Sequence, residues 1–213
     1  MLKENKRTLI LTSILTLLPI LIGVIFWKRL PDPMATHFGV NNEPNGFTGK
    51  AFAVFGLPLL LLALEWLGAF VTSRDPRKQN ISPKMFSLVL WIIPVVSLFV
   101  FAAIYPYNLG YRLDITFVAE LLLSLMLIIV GNYLPKARQN YTIGIRVPWT
   151  LANEENWNRT HRFAGFLWMA CGLVMLVLTL CRVIPPFLLI GIVILTTLVP
   201  CVYSFLLHTR KGL

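Results

Sequence analysis

The amino-acid sequence predicts an all-α integral membrane protein, a six-transmembrane-helix bundle with both termini in the cytoplasm. Three observations predict it. Six runs of about 20 mostly apolar residues follow one another, and a run of this length crosses the hydrocarbon core of a bilayer as a helix. Only 13% of the 213 residues are Asp, Glu, Lys or Arg, whereas a soluble domain contains about 25%. The basic residues are also divided unequally between alternate loops.

The predicted spans leave room only for loops, so we expect a single polytopic membrane domain over residues 1–213. The spans cover residues 8–27, 51–71, 85–105, 115–134, 163–182 and 187–207. Pro185 and Pro186 separate the last two runs. One continuous helix there would be over twice as long as the bilayer core is thick, and successive prolines break a helix. The last two spans therefore form a helical hairpin.

The basic residues predict the orientation of these spans. The two tails and the loops after the second and fourth spans contain 14 of the 19 lysines and arginines, and the other three loops contain 5. Cytoplasmic loops carry the excess of basic residues in membrane proteins. Residues 28–50 are therefore expected to form an extracytoplasmic loop module. Residues 131–165 are expected to form a cytoplasmic segment, which we call the signature segment for the residue pattern described below. This flanking pattern also explains the net charge of +10, so we expect no direct binding of nucleic acid.

The loop at 28–50 is long and rich in Pro and Gly. Glu43-Pro44-Asn45-Gly46 is typical of a β-turn, because Pro fixes φ at the second position and Gly tolerates a positive φ. The aromatic side chains of His37, Phe38 and Phe47 could lie at the lipid headgroups or contact a ligand.

Two carboxylates fall inside predicted spans, Glu65 in the second and Glu120 in the fourth. A charged group at a helix centre costs about 2.5–3.5 kcal/mol on insertion scales, so such residues usually face the bundle interior or a wet cavity. One interpretation is a proton or ion relay. The other, which we favour, is a structural hydrogen bond to a neighbouring span.

The segment at 131–165 contains the strongest local pattern of the chain. Thr150 is a candidate N-cap for a helix that continues into the fifth span. Glu155 and Arg159 are spaced for an i,i+4 ion pair on that helix. The sequence contains no nucleophile–base pair and no metal-ligand cluster, so we expect no catalytic residues, no cofactor and no metal. Four residues are spaced to share one helical face: Trp157, His161, Gly165 and Trp168.

The segment combines a distinctive set of residues: Asn132, Asn140, Gly144, Arg146, Pro148, Trp149, Trp157, His161 and Arg162. At these residues the chain resembles the SdpI family of bacterial multi-spanning immunity proteins, and we call the set the signature. Val147 stands where family members often have Thr. The loop at 28–50 resembles a module common in these proteins, and its matching residues include His37, Phe38, Asn45, Gly46 and Phe47.

The resemblance implies an immunity protein in the bacterial cytoplasmic membrane, which protects the cell against a secreted killing peptide. The five loop residues are then candidates for contact with that toxin. The resemblance also implies a signalling role, in which the toxin-occupied protein holds a cytoplasmic transcriptional repressor at the membrane. The alternative function is a small transporter or channel that uses Glu65 and Glu120. The expected partners are thus the lipid bilayer, a secreted peptide toxin and a repressor.

Two roles remain open for the signature segment. Arg146 supplies a planar guanidinium suited to a carboxylate or to backbone carbonyls, and Gly144 permits a turn or a close approach. The segment could brace the inner end of the bundle, or it could dock a cytoplasmic partner. We favour the bracing role, because a loop tied to spans at both ends and rich in Trp, Pro and Gly is expected to fold against them.

Overall fold

The computed structural model describes residues 1–39 and 41–212. Its helices are α1 (Lys6–Ile25), α2 (Leu57–Ser73), α3 (Pro83–Asn108), α4 (Ile115–Tyr133), α5 (Pro148–Ala152), α6 (Glu154–Leu180) and α7 (Pro186–Lys211). Two strands, β1 (Met34–Phe38) and β2 (Pro44–Thr48), pair antiparallel between α1 and α2. A π-helical turn at Phe52–Gly56 leads into α2, and 3₁₀ turns lie at Lys78–Asn80 and Leu134–Lys136.

The predicted all-α fold class with six long apolar helices is confirmed, whereas the orientation of the termini stays a prediction. In the described part of the chain, six helical stretches are long and apolar enough to cross a membrane, and each coincides with a predicted span. The largest difference is at the fifth span, where α6 begins at residue 154 rather than 163. The predicted break between the last two spans is confirmed, since α6 ends at Leu180 and α7 begins at Pro186. Proline suits the first position of a helix, where its missing N–H would be unpaired anyway.

The start of α6 corrects the predicted N-cap. Asn153, not Thr150, caps this helix, because its side-chain oxygen accepts a hydrogen bond from the Asn156 backbone N–H at 3.0 Å. Thr150 lies inside α5, where its hydroxyl accepts from the Val147 N–H at 3.0 Å. The sequence predicts one helix that starts after Thr150. The structure has two instead, since α5 begins at Pro148 and α6 begins at Glu154. The predicted pair between Glu155 and Arg159 is confirmed as an exposed ion pair.

The loop at 28–50 corrects the predicted β-turn. Residues 44–48 form strand β2, so the chain reverses before Glu43 rather than after it. Asn42 takes the positive φ of the reversal, at 61°, and asparagine tolerates this conformation better than most residues. Gly46 is required for a different reason, since a Cβ there would lie 2.8 Å from the Cβ of His37 on the paired strand.

The chain divides into two compact units. The first contains residues Met1–Phe70 and Phe86–Ala119. Within it, α1 and α3 are joined by two hydrogen bonds, from the Ser97 hydroxyl to the Thr16 carbonyl at 3.0 Å and from the Tyr105 hydroxyl to the Pro19 carbonyl at 2.8 Å. Its core is formed by Leu30, Met34, Ala53, Val54, Phe101, Ile104 and Tyr105.

The second unit contains residues Val71–Met85 and Glu120–Leu213. Here α4 and α6 pack backbone against backbone. A Cβ on Gly131 would lie 2.8 Å from the Met169 nitrogen, and a Cβ on Gly165 would lie 2.7 Å from the Gly131 carbonyl oxygen. Small residues that permit such close approach are typical of helix contacts in membranes. Leu127, Met175 and Ile192 form the adjoining buried cluster.

Candidate functional site

The signature segment at 131–165 belongs to the second unit and is held by a buried carboxylate. Asp75, in the loop between α2 and α3, accepts hydrogen bonds from the Tyr141 N–H at 2.8 Å and the Thr142 hydroxyl at 2.9 Å. It also accepts from the Arg77 N–H at 2.7 Å. Hydrogen bonds to a charged acceptor contribute about 1.5–3 kcal/mol each. Asp75 therefore fixes the segment to the preceding loop.

Gln139 is the second tie between these two stretches of chain. Its side-chain oxygen accepts from the Arg77 guanidinium, and its backbone carbonyl accepts from the Asn80 side chain at 2.8 Å. Its Nε2 donates to the Thr150 carbonyl of α5 at 2.7 Å. Gln139 thus joins Arg77 and Asn80, through its side chain and its backbone carbonyl respectively, to Thr150 of α5.

Asn140 shapes the turn that follows. Its side-chain oxygen accepts from the Ile143 N–H at 2.6 Å and the Thr142 N–H at 2.9 Å. Its side-chain nitrogen donates to the Arg138 carbonyl at 2.8 Å. The side chain therefore pairs backbone groups of a turn that has no regular ladder, and such pairing is required because unpaired buried backbone groups are costly.

Gly144, Trp157 and His161 form one packed cluster. His161 is buried, and its Nε2 accepts from the Ile145 N–H at 2.9 Å. Its Nδ1 must then carry the proton that is donated to the Trp157 carbonyl at 2.8 Å. The two rings stack with centroids 3.9 Å apart, and the Trp157 indole N–H donates to the Ala137 carbonyl at 2.7 Å. Gly144 passes over the imidazole with φ at +117°.

The other signature residues lie nearer the surface. Arg146 is exposed, and its guanidinium donates to the Tyr141 carbonyl at 2.7 Å. Trp149 packs on α7, with its ring centroid 5.3 Å from that of Phe205. Exposed side chains are found at Asn132, Pro148 and Arg162. The structure thus separates the signature into a buried part that organises the turn and an exposed part with two arginines.

The predicted recognition residues belong to the hairpin formed by β1 and β2 in the first unit. The imidazole of His37 is hydrogen-bonded to Asn45, and both side chains are exposed. Phe47 is 60% exposed. Phe38 is half-buried and packs edge-on against Tyr107 of α3, with centroids 4.7 Å apart. The hairpin therefore presents three of these side chains to the surroundings and uses Phe38 to contact α3.

Two asparagines that the sequence did not single out fix the hairpin. The side-chain amide of Asn108 in α3 pairs with the backbone of Ala35 in β1, as a neighbouring strand would. It accepts from the Ala35 N–H at 2.8 Å and donates to the Ala35 carbonyl at 2.9 Å. Asn42 accepts from the Ile115 N–H at the start of α4 at 2.7 Å and donates to the Leu113 carbonyl at 3.1 Å. An amide at a chain reversal or a helix end is a weak sequence signal for such a tie.

The intramembrane acid Glu65 makes structural hydrogen bonds. It is 3% exposed, and its two carboxyl oxygens contact the hydroxyls of Thr12 at 2.6 Å and Thr16 at 2.7 Å on α1. These contacts agree with the structural interpretation that we favour for this residue. Glu120 is half-buried on α4.

A further buried network that sequence reasoning missed joins α6 to α7. The Asn156 amide donates to the Ser204 carbonyl at 3.0 Å and accepts from the Ser204 hydroxyl at 2.6 Å. The side-chain oxygen also accepts from the Thr160 hydroxyl at 3.1 Å.

Among residues 1–39 and 41–212, no group of three or more His, Cys, Asp or Glu side chains could hold a metal ion.

Comparisons with known proteins match both segments. The model of the SdpI/YfhL protein family matches residues 136–204, and that of a domain of unknown function, DUF1648, matches residues 14–62. The immunity protein SdpI of Bacillus subtilis (strain 168) is 27% identical over 174 residues, which cover 80% of this chain and 80% of that protein. No solved structure matches the chain.

The first match includes most of the signature segment with α5 and α6, and the second includes the hairpin. Together with the six apolar helices, these similarities show a multi-pass protein of the cell membrane. The resemblance that the signature residues indicate is therefore confirmed: residues 136–204 match the SdpI/YfhL protein family, and the chain is similar to the immunity protein SdpI over 80% of its length.

Proposed function

We propose that this chain is an immunity protein that protects its cell against a secreted killing peptide. The observation that carries the proposal is the similarity to the immunity protein SdpI, which extends over 80% of both chains. It therefore includes spans as well as loops. The alternative of a transporter that uses Glu65 has less support, because the carboxyl group of Glu65 is engaged by the hydroxyls of Thr12 and Thr16.

The hairpin is the element that we propose for recognition of the peptide. It presents His37, Asn45 and Phe47 as exposed side chains on a folded support, and preorganised loops bind at a lower entropic cost than flexible ones. On the predicted orientation it faces the side from which a secreted peptide arrives. The repressor implied by the family resemblance would bind on the other side, where the signature segment offers Arg146 and Arg162.

The proposal is tested by survival. The gene for this chain is deleted in its source strain, and the cells are exposed to spent medium of the parent strain. We expect the deletion strain to be killed, and a plasmid copy of the chain to restore survival, whereas an unrelated six-span protein at the same membrane level does not. Equal survival with and without the chain would reject the proposal.

A second set of variants tests the hairpin. Phe47→Ala and His37→Ala remove exposed side chains, so they are expected to lower survival without lowering the amount of protein in the membrane. Lys28→Ala is the matched control, because Lys28 is exposed on the same predicted side outside the hairpin. Full protection by both hairpin variants would assign recognition to another surface.

A further inference from the structure

Two neighbouring cavities in the first unit share one residue, Tyr111, which follows α3. One cavity of about 530 Å³ lies between α1 and α3, and Ile22 and Phe101 are among its lining residues. The other, of about 640 Å³, is lined by the loop after α3 and by Asn42 of the hairpin. Both fall in the size range of ligand pockets, about 300–1,000 Å³. Tyr111 lines both cavities and is 61% exposed.

The cavity between α1 and α3 suits an apolar group. Its lining is aliphatic and aromatic apart from the hydroxyls of Tyr105 and Tyr111. The Tyr105 hydroxyl is already donated to the Pro19 carbonyl, and this bond also fixes the distance between the two helices that form the walls. Among the lining side chains only Tyr111 keeps an uncommitted hydroxyl, so a polar occupant would replace few of the hydrogen bonds that it loses to water.

The cavity at the loop has a different chemistry, because it exposes a cation. The Asp114 carboxylate accepts from the Phe117 N–H at 3.0 Å. The Asn42 side chain donates to the Leu113 carbonyl and accepts from the Ile115 N–H. Arg112 is exposed, and it has no ion pair with any residue in the described ranges. A guanidinium binds a carboxylate through two parallel hydrogen bonds.

Tyr107 and Tyr111 line the same cavity as Arg112, and each has a hydroxyl group. Neither hydroxyl makes a hydrogen bond with another side chain or backbone group in the part of the chain that the structure describes. Both can therefore donate to an anion that is held by the guanidinium. The loop cavity thus combines one cation with two uncommitted hydroxyls next to an apolar cavity.

We propose that the two cavities form one binding site for a peptide whose apolar segment lies next to a carboxylate, such as a hydrophobic carboxy-terminal segment. This inference rests on the proposed immunity function, since the peptide would be the killing peptide. The apolar segment fills the cavity between α1 and α3, and the carboxylate binds Arg112. We favour a peptide over a phospholipid because the loop cavity adjoins the hairpin that we propose for recognition. Asn42 of the hairpin lines the cavity, and Phe38 of the hairpin packs against Tyr107, which also lines it.

Cavity-filling and charge-removing variants test the site in the survival assay with parental spent medium. Ala102 is an exposed alanine that lines the apolar cavity, so Ala102→Trp fills it, and Arg112→Gln removes the cation. We expect each to lower survival at least tenfold at equal membrane levels and equal thermal stability in detergent. The matched controls are Ala63→Trp, at an exposed position of α2, and Lys28→Gln. Protection by both site variants equal to that of the wild type would overturn the proposal.

A photocross-link identifies the occupant. p-Benzoylphenylalanine replaces Tyr111 in the full chain, which is reconstituted in vesicles of phosphatidylglycerol and phosphatidylethanolamine. The probe is the low-molecular-mass peptide fraction of the spent medium. A peptide adduct that Ala102→Trp abolishes is the expected result, and a lipid adduct unaffected by the fraction would overturn the proposal. If the wild-type chain fails to protect, the immunity function is wrong, and the adduct still decides whether the site binds peptide.

Discussion

A Cβ atom added to Gly144 would lie 2.3 Å from the Nε2 atom of His161, the same nitrogen that accepts the Ile145 N–H. The backbone at Gly144 also has φ at +117°, which L side chains rarely adopt. Glycine is therefore required twice, by its conformation and by the imidazole beneath it. Two signature residues that are 17 positions apart in the sequence are thus parts of one packing arrangement.

Gly144→Ala is expected to destabilise the second unit. A residue in a sparsely populated conformation costs about 1–3 kcal/mol, and displacement of His161 also breaks a buried hydrogen bond. We expect a lower midpoint of thermal unfolding in detergent. Gly191→Ala is the control, because a Cβ at Gly191 in α7 meets nothing within 4 Å. An unchanged midpoint for Gly144→Ala would contradict the tight packing over the imidazole.

Removal of the Asp75 charge is expected to loosen the signature segment. Asp75→Asn keeps the shape of the side chain but replaces one acceptor oxygen by a donor, which faces the N–H of Arg77 or the donors of Tyr141 and Thr142. We expect a loss of about 2 kcal/mol and faster proteolysis within residues 138–147. The control is Glu154→Gln, since Glu154 is exposed in the first turn of α6. Equal proteolysis of the two variants would show that Asp75 does not hold the segment.

The spans were predictable and the ties between segments were not, for a physical reason. An apolar run of sufficient length has one stable environment, so 8–27 or 85–105 could be recognised without knowledge of any partner. The role of Asp75 depends on Tyr141, which is 66 positions away, and nothing local to either residue indicates the contact. The same limit applied to Asn108 and Ala35.

Local signals also failed where two residues could do the same task. Thr150 and Asn153 are both good N-caps, and only the fold shows that Asn153 begins α6. Pro44 and Gly46 suit a β-turn, yet Asn42 makes the reversal and Gly46 is required by its contact with His37. In each case the tertiary packing selected between local alternatives of similar free energy.

Two substitutions at Glu65 distinguish a structural role of its carboxyl group from a role in a proton or ion relay. Glu65→Gln retains an oxygen and a nitrogen that can bond the Thr12 and Thr16 hydroxyls, so we expect near-normal membrane levels and survival in spent medium. Glu65→Leu leaves those hydroxyls without the carboxyl partner, and it should lower thermal stability in detergent. If Glu65→Gln abolished protection at normal stability, the carboxyl group itself would be required and a relay would be favoured.

The predicted orientation can be measured by accessibility of introduced cysteines. Cys171, Cys181 and Cys201 are first replaced by Ser, because all three are free. Glu43→Cys, in the hairpin segment, should react with an impermeant maleimide added to intact cells. Glu154→Cys, at the start of α6, should react only after the cells are permeabilised. Both positions are exposed and serve as each other's control, and reaction of both from the same side would refute the six-span orientation.

Arg146→Ala separates the two roles that we consider for the signature segment. The guanidinium donates to the Tyr141 carbonyl, five residues earlier, and so closes the turn that contains Gly144. Loss of this bond is expected to cost about 1 kcal/mol, measured as a lower thermal midpoint. The matched control is Arg138→Ala, which removes an exposed cation from the same segment.

A docking role predicts a different result. A partner that binds through the positive charge of Arg146 would lose affinity without it, whereas the stability of the fold would not change. Arg146→Ala would then keep its stability and its protection of cells, and it would lose recruitment of a repressor to membranes in a sedimentation assay. We expect the first result. The turn around Gly144 is already fixed by Asp75 and Asn140 on one side and by His161 on the other, and Arg146 adds the remaining bond to the Tyr141 carbonyl. Normal stability, protection and recruitment in this variant would leave neither role for the guanidinium.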